Sequence, residues 1–171
     1  VVEETAPPAT PDPSLPEYRI TDFEDLDDLQ EIEVGERVRL VVGDDDLNRM
    51  AARVIRENVG DEASLAFEFD LDEVTVWIEA DEELLDRSGV DVPNQIRGDV
   101  DLTATMSAAA EDCVPYVEIR KLRVNRWSFG LRSVAQRAIN NRIPEVWPEE
   151  LCVETIILSD DEVAVEGYER P

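Results

Sequence analysis

Apolar positions along the chain change period several times, and each change marks an element. The run Arg37–Val42 (RVRLVV) predicts a strand, closed by Gly43 and Asp44-Asp45-Asp46. Leu47, Met50, Ala51, Val54 and Ile55 then recur at i, i+3, i+4, i+7 and i+8, the period of an amphipathic helix. One of the three aspartates is expected to accept hydrogen bonds from the first free amides of that helix. Asn58–Gly60 stops it. Leu65, Phe67 and Phe69, then Val74, Val76 and Ile78, alternate with other residues and predict a hairpin. Residues 81–98 are less regular, with a turn of helix at Glu82–Asp86 and punctuation at Gly89, Pro93 and Gly98. Strands are expected at about 99–107 and 114–125, a second helix at about 129–142, and a last hairpin at about 151–158 and 162–168. The second helix presents Leu131, Val134, Ala135, Ala138 and Ile139 as its apolar face.

Two helix–hairpin units correspond to each other. Leu47, Met50, Ala51 and Ile55 match Leu131, Val134, Ala135 and Ile139 at an offset of 84 residues. Asp72-Glu73-Val74-Thr75-Val76 matches Asp161-Glu162-Val163-Ala164-Val165 at an offset of 89, the difference lying in the IPEVWPEE connection. The expected fold is therefore α+β: a curved antiparallel sheet of about six or seven strands packed on two amphipathic helices, with an internal helix–hairpin repeat. Leu47, Met50, Val54, Ile55, Leu131, Val134 and Ile139 would join Phe67, Phe69, Val76, Ile119, Val124, Ile157 and Val165 in one core. Residues 1–16 hold five of the ten prolines and lack apolar periodicity, and the acidic run TDFEDLDDLQEIE (21–33) follows. The expected division is a proline-rich and acidic stalk over 1–35 and a single domain over 36–171. Within the acidic run, Phe23, Leu26, Leu29 and Ile32 also fit a short amphipathic helix docked on a neighbour, as an alternative to a solvated segment.

Charge narrows the possible functions. The 171 residues carry 42 acidic and 16 basic side chains, a formal net charge of −26. Such a chain is no general binder of nucleic acid, whose phosphates repel it. Its lone lysine, Lys121, stands beside fifteen arginines, a bias consistent with a salt-adapted source or a high-GC genome. The absence of histidine excludes Ser-His-Asp and Cys-His catalysis and histidine-ligated zinc. No run of about 20 apolar residues is present to span a bilayer.

Neighbouring carboxylates such as Asp70 with Asp72, or Asp160 with Asp161 and Glu162, are uninformative in a chain so rich in acid and fall in expected turns. The Asp44–Asp46 triplet lacks the spacing of a calcium loop. Walker, dinucleotide and G-x-S-x-G motifs are missing. No catalytic residue, metal ligand or cofactor is assigned, and the protein reads as non-enzymatic. Cys113 and Cys152 are either a disulfide, which would imply an oxidising compartment, or two buried thiols.

Acid is missing from one window. Residues 119–142 (IRKLRVNRWSFGLRSVAQRAINNR) hold seven basic residues and no Asp or Glu. Arg123, Arg126, Trp127, Phe129, Arg132 and Arg137, with Trp147 just beyond, form the candidate binding set. Arginine interleaved with tryptophan suits anionic lipid headgroups at a membrane surface. It equally suits an acidic protein partner or self-association, or the arginines neutralise the protein's own carboxylates.

The layout as a whole resembles a known group. A strand enters a helix opening with Asp46-Leu47-Asn48, and a long strand reads IRKLRVNRWSFG. A second helix ends in Ile143-Pro144, and the closing hairpin has the form V-x-x-I-x-L-x-D-x-x-V-x-V-x-G. Over roughly residues 37–168 this resembles the YpmS-like and LmeA-like small envelope proteins, distant relatives of the tubular lipid-binding fold. The resemblance implies an N-terminal anchor or signal and a small extracytoplasmic domain. It also implies curved antiparallel sheet around helices and, in some members, association with lipid. The proline-rich start at Val1 agrees with a tether to an anchor outside this chain. The expected function is a non-enzymatic, membrane-tethered, extracytoplasmic domain that binds lipid or another apolar ligand in a groove between sheet and helices. The alternative is a structural or accessory subunit of a cell-surface assembly, docked through complementary acidic and basic segments.

Overall fold

The computed structural model describes residues 10–88, 98–126 and 130–171. Among these residues, eight strands form two four-stranded sheets. The first contains β1 (Glu17–Ile20), β2 (Val38–Gly43), β8 (Glu162–Glu169) and β7 (Leu151–Ser159), in that order. The second runs β3 (Ala63–Asp70), β4 (Glu73–Ala80), β5 (Val100–Glu111), β6 (Val114–Val124). The α+β class holds, but two sheets replace the expected single one, and β1 pairs with β2 in parallel.

Two long helices complete the frame, α2 (Asp44–Asn58) and α4 (Arg132–Val146), with the shorter α1 (Asp25–Asp28) and α3 (Glu82–Ser88). The α2 N-cap is Gly43, which makes no side-chain capping bond. Asp44, Asp45 and Asp46 occupy the first turn, where Asp44 Oδ1 accepts from the Asp45 amide at 2.6 Å, as expected, and their charges favour the positive end of the helix. The sheets meet where β7 lies against β5. Phe69, Val74 and Val76 pack there on Leu158, joined by Leu47, Met106 and Val163. Met50, Ile119 and Val124 are buried as expected, whereas Val54 of α2 is exposed.

The segment expected to be a stalk contributes to the domain. Ile20 of β1 is 3% exposed, and the Asp12 amide donates to the Glu166 carboxylate at 2.9 Å. Glu166 is buried because β8 is an inner strand, and its Oε1 also accepts from Arg39 Nε (3.0 Å) and Nη2 (2.7 Å). The acidic run forms only the short helix α1 and stays largely exposed; at its start Asp22 pairs with Arg53 of α2 at 2.8 Å, and the Arg53 guanidinium sits over the Phe23 ring. The expected boundary at residue 35 therefore does not separate the described residues 10–35 from the sheet.

The β3–β4 and β7–β8 hairpins touch reciprocally. Asp72 N–H donates to the Leu158 carbonyl and Asp161 N–H to the Phe69 carbonyl, both at 3.3 Å. Asp72 and Asp161 each hold φ near +65° in their turns (61° and 68°), a conformation aspartate tolerates. The helices are placed differently: α2 packs on β3, the strand after it, and α4 on β6, the strand before it.

The two cysteines are paired. Cys113 and Cys152 form a disulfide with Cα atoms 4.3 Å apart, tying the β5–β6 turn to β7. Both turn residues, Asp112 and Cys113, have positive φ, the pattern of a tight two-residue hairpin turn. Val153 N–H donates to the Cys113 carbonyl beside the bridge. Gly167 of β8 is required opposite: a Cβ there would lie 2.2 Å from the Cys152 carbonyl oxygen.

Candidate functional surface on β6 and α4

The second sheet has two edge strands, and a helix seals each with side-chain amides. Asn48 of α2 clamps Phe67 of β3, donating to its carbonyl (2.7 Å) and accepting from its amide (2.6 Å). Asn140 of α4 does the same to Val117 of β6, at 2.7 and 3.0 Å. Gln136, one turn earlier, accepts from the Ile119 amide at 3.1 Å and donates to the Tyr116 hydroxyl at 3.0 Å. The spacing fits: residues i and i+4 of a helix rise about 6 Å, close to the about 6.8 Å between alternate strand residues. Unpaired edge groups invite foreign strands, so this sealing protects the sheet.

The clamp has a consequence for α4. Gln136 and Asn140 take the inward face, so the apolar stripe expected to enter the core does not. Val134 is 65% exposed, Ile139 is 37% exposed, and Ala138 is exposed as well. Leu131 and Ala135 alone of the expected face are half-buried.

The cations sort into two groups. Eight arginines form ion pairs across the described fold, among them Arg19–Glu162, Arg37–Glu154, Arg39–Glu166 and Arg53–Asp22. Within the acid-free window, Arg120 pairs with Glu73 at 2.6 Å and Arg142 with Glu145 at 2.5 Å. Lys121, Arg123, Arg126, Arg132 and Arg137 are all exposed and have no carboxylate within 4.0 Å among the described residues. Arg132 reaches the Arg120 carbonyl at 3.4 Å, which places the start of α4 beside the middle of β6. Internal neutralisation thus accounts for two of the seven cations, and five face solvent.

The candidate residues do not form one cluster. Arg123 lies near the end of β6 and Arg126 just beyond it, Arg132 begins α4 beside the middle of β6, and Arg137 is farther along the helix. Trp147 follows the helix and lies about 20 Å away along its axis, counting 1.5 Å per residue. Its indole N–H donates to the Leu151 carbonyl at 3.2 Å. Trp147 walls a cavity of about 300 Å³ with Pro144, Pro148, Leu151, Asp112 and Arg170. Trp127 and Phe129 lie outside the described residues. A second cavity of about 300 Å³ is lined by Glu62, Ser64, Glu79, Asp81, Asp99 and Asp101. Among the described residues no group of three acidic or cysteine side chains is placed to hold a metal ion.

No family model matches the chain, and no curated protein is similar to it. The surface must therefore be read from its own chemistry.

One residue of this surface was absent from the sequence-derived set. Trp77 of β4 is 36% exposed, and its cross-strand neighbours place it in a row with Thr103 of β5 and Arg123 of β6. The signal was present in the alternation: Val74, Val76 and Ile78 share one parity, so Trp77 falls on the other, outward parity with Thr75 and Glu79.

Proposed function

We propose that the protein is a non-enzymatic docking domain, an accessory subunit that engages an acidic partner protein through β6 and the outer face of α4. The observation that carries this reading is the five cations that have no carboxylate within 4.0 Å among the described residues, in a chain of 42 acidic residues. Outside the window six of the eight described arginines are ion-paired, Arg56 and Arg170 being the exceptions; within it five of seven cations are left to solvent, with Val134 and Ile139 of α4 exposed as well. Charged groups of one sign around a small apolar centre are the composition of a specific protein contact.

The same cations serve a lipid reading, in which anionic headgroups take the partner's place. That reading also calls for an apolar groove; one cavity is lined largely by carboxylates, and the other, at Trp147, sets Asp112, Glu149 and Arg170 among Val114, Pro144, Pro148 and Leu151 and lies away from Arg123, Arg126 and Arg132. Protein docking is therefore the better supported. The disulfide and the tightly drawn β5–β6 turn agree with an extracytoplasmic setting, and a tether through a segment outside this chain is part of the proposal.

The test is affinity retention from an extract of the source. The wild-type domain is immobilised beside a variant carrying Arg126→Gln, Arg132→Gln, Val134→Ser and Arg137→Gln. A polypeptide held in stoichiometric amount by the wild type and lost by the variant is expected. Equal retention by both removes the proposal. Vesicles rich in phosphatidylglycerol bound by the wild type alone, with no polypeptide retained, would transfer the surface to lipid.

A further inference from the structure

Three of the four sheet edges are occupied by other parts of the fold. Asn48 seals β3, and Gln136 and Asn140 seal β6. The outer edge of β7 lies against the second sheet, where Val153 N–H donates to the Cys113 carbonyl and the Leu158 carbonyl accepts from Asp72 N–H. The fourth edge is β1, which has β2 on one side only.

Pairing with β2 fixes which backbone groups of β1 point outward. Arg39 N–H donates to the Pro16 carbonyl at 2.8 Å, and the parallel register sets Glu17 beside Arg39 and Arg19 beside Val41. The backbone groups of Tyr18 and Ile20 therefore face β2, while those of Glu17, Arg19 and Thr21 face away from it. At Thr21 both outward groups are taken: Asp25 accepts from the amide at 2.6 Å, and Arg49 donates to the carbonyl at 2.7 Å. The amides and carbonyls of Glu17 and Arg19 have no partner among the described residues. Two donors and two acceptors stand open on one edge, a template for another strand.

The segment Glu17-Tyr18-Arg19 is complementary to itself. We infer that β1 pairs antiparallel with β1 of a second copy of the chain, about a two-fold axis that passes between the two Tyr18 residues and runs normal to the sheet. Glu17 of each copy then lies opposite Arg19 of the other as a hydrogen-bonded pair, and four bonds satisfy every open group on both edges. Carboxylate and guanidinium share one face of each such pair. On the other face the two Tyr18 side chains meet, with Ile20 opposite Pro16 on either side. An axis centred on Glu17 or on Arg19 would oppose like charges, so charge selects the Tyr18 register. Glu17 and Arg19 are exposed and Tyr18 is half-buried. Arg19 already holds Glu162 at 2.9 Å and Glu17 lies 3.6 Å from Arg39, so the cross-copy pairs extend an existing network.

The contact is small, and a net charge of −26 on each copy opposes it. Screening at about 0.15 M salt, where the Debye length is about 8 Å, weakens that repulsion more than the short cross-strand pairs. The dimer is accordingly a weak one, with a Kd of about 100 μM. None of its residues belongs to the β6–α4 surface, so the inference stands apart from the docking proposal.

Sedimentation equilibrium of the full chain, from about 10 μM to 1 mM at about 0.15 M salt, measures the association. Amide hydrogen exchange over the same range locates it. The Glu17 and Arg19 amides should gain protection as concentration rises, whereas Tyr18 and Ile20, bonded to β2, are protected throughout. Glu17→Arg or Arg19→Glu alone sets like charges opposite each other and should weaken the dimer at least about tenfold. An equimolar mixture of the two should restore it, since unlike charges face each other again. Glu17→Pro deletes an outward donor and leaves the β1–β2 bonds intact, and it should weaken the dimer by a similar factor. Melting curves establish that each variant folds, and the exchange measurement on the wild type needs no variant. A wild type that stays monomeric over this range, or self-association that leaves these two amides unprotected, would overturn the inference. So would single variants that associate as tightly as the wild type, or a mixture that associates no better than either variant alone.

Discussion

Replacing Arg39 by methionine probes how the N-terminal segment is held. Arg39 and Glu166 face each other on adjacent strands with side chains 12% and 3% exposed, and the pair is closed by two guanidinium hydrogen bonds. Arg39 Nη2 also donates to the Asp12 carbonyl at 2.5 Å, and Glu166 accepts from the Asp12 amide. The methionine keeps the aliphatic bulk and removes the charge, which leaves a buried carboxylate with a single amide donor. Breaking a buried pair in this way costs about 3–5 kcal/mol, a third or more of a typical domain's stability. For a chain of this length that corresponds to a fall in Tm of about 10 °C. Urea unfolding analysed by linear extrapolation measures the loss. The double variant Arg39→Met with Glu166→Leu removes both charges, and it should recover most of the loss, since an apolar pair of similar volume replaces the ions without a desolvation cost. A single variant that loses less than about 1 kcal/mol, or a double variant no more stable than the single one, would refute the reasoning.

Three further outcomes are expected. Replacing Cys113 and Cys152 by alanine releases a loop of 39 residues and should cost about 4 kcal/mol by the loop-entropy relation, read as a lower Tm that added reductant no longer changes. Asn140→Ala strips Val117 of both its clamping bonds, so it should cost about 1–3 kcal/mol and make aggregation concentration-dependent as the β6 edge opens, which light scattering would record. The Thr21 and Asp22 amides and the Thr21 hydroxyl hold the Asp25 carboxyl below its ordinary value of 3.8, so their bonds stabilise the segment above that pH. They should be lost as pH falls below it, seen as faster hydrogen exchange at those two amides relative to intrinsic rates, and Asp25→Asn should abolish the change.

Much of the fold was legible because its elements obey local periodicity. The α2 stripe, both hairpins and the long strands β5 and β6 appear within a few residues of their expected bounds. The misreadings share a physical cause, long-range pairing that no local pattern reports. Residues 17–20 look like part of a tail, yet their backbone completes a sheet with β2, and Glu166 on the last strand anchors Asp12. The apolar residues of α4 suggest a core face, but Gln136 and Asn140 turn inward because an edge strand needs donors and acceptors more than α4 needs burial. The same rotation explains why Val134 and Ile139 emerge on the surface. Among the candidate binding residues, the acid-free window marks a stretch in which five cations are exposed without a carboxylate among the described residues. Sequence could not say which would find partners, since Glu73 reaches Arg120 from two strands away. Trp77 was overlooked since aromatic residues in a strand are usually counted toward the core.

Native mass spectrometry of the protein isolated from its own source, beside the same sample after denaturation, tests the docking account most directly. The account predicts an additional polypeptide bound to the wild type and missing from a variant with Arg126, Arg132 and Arg137 changed to glutamine. A chain that carries no other polypeptide, or one whose only adduct has the mass of a lipid and leaves on denaturation, would contradict it.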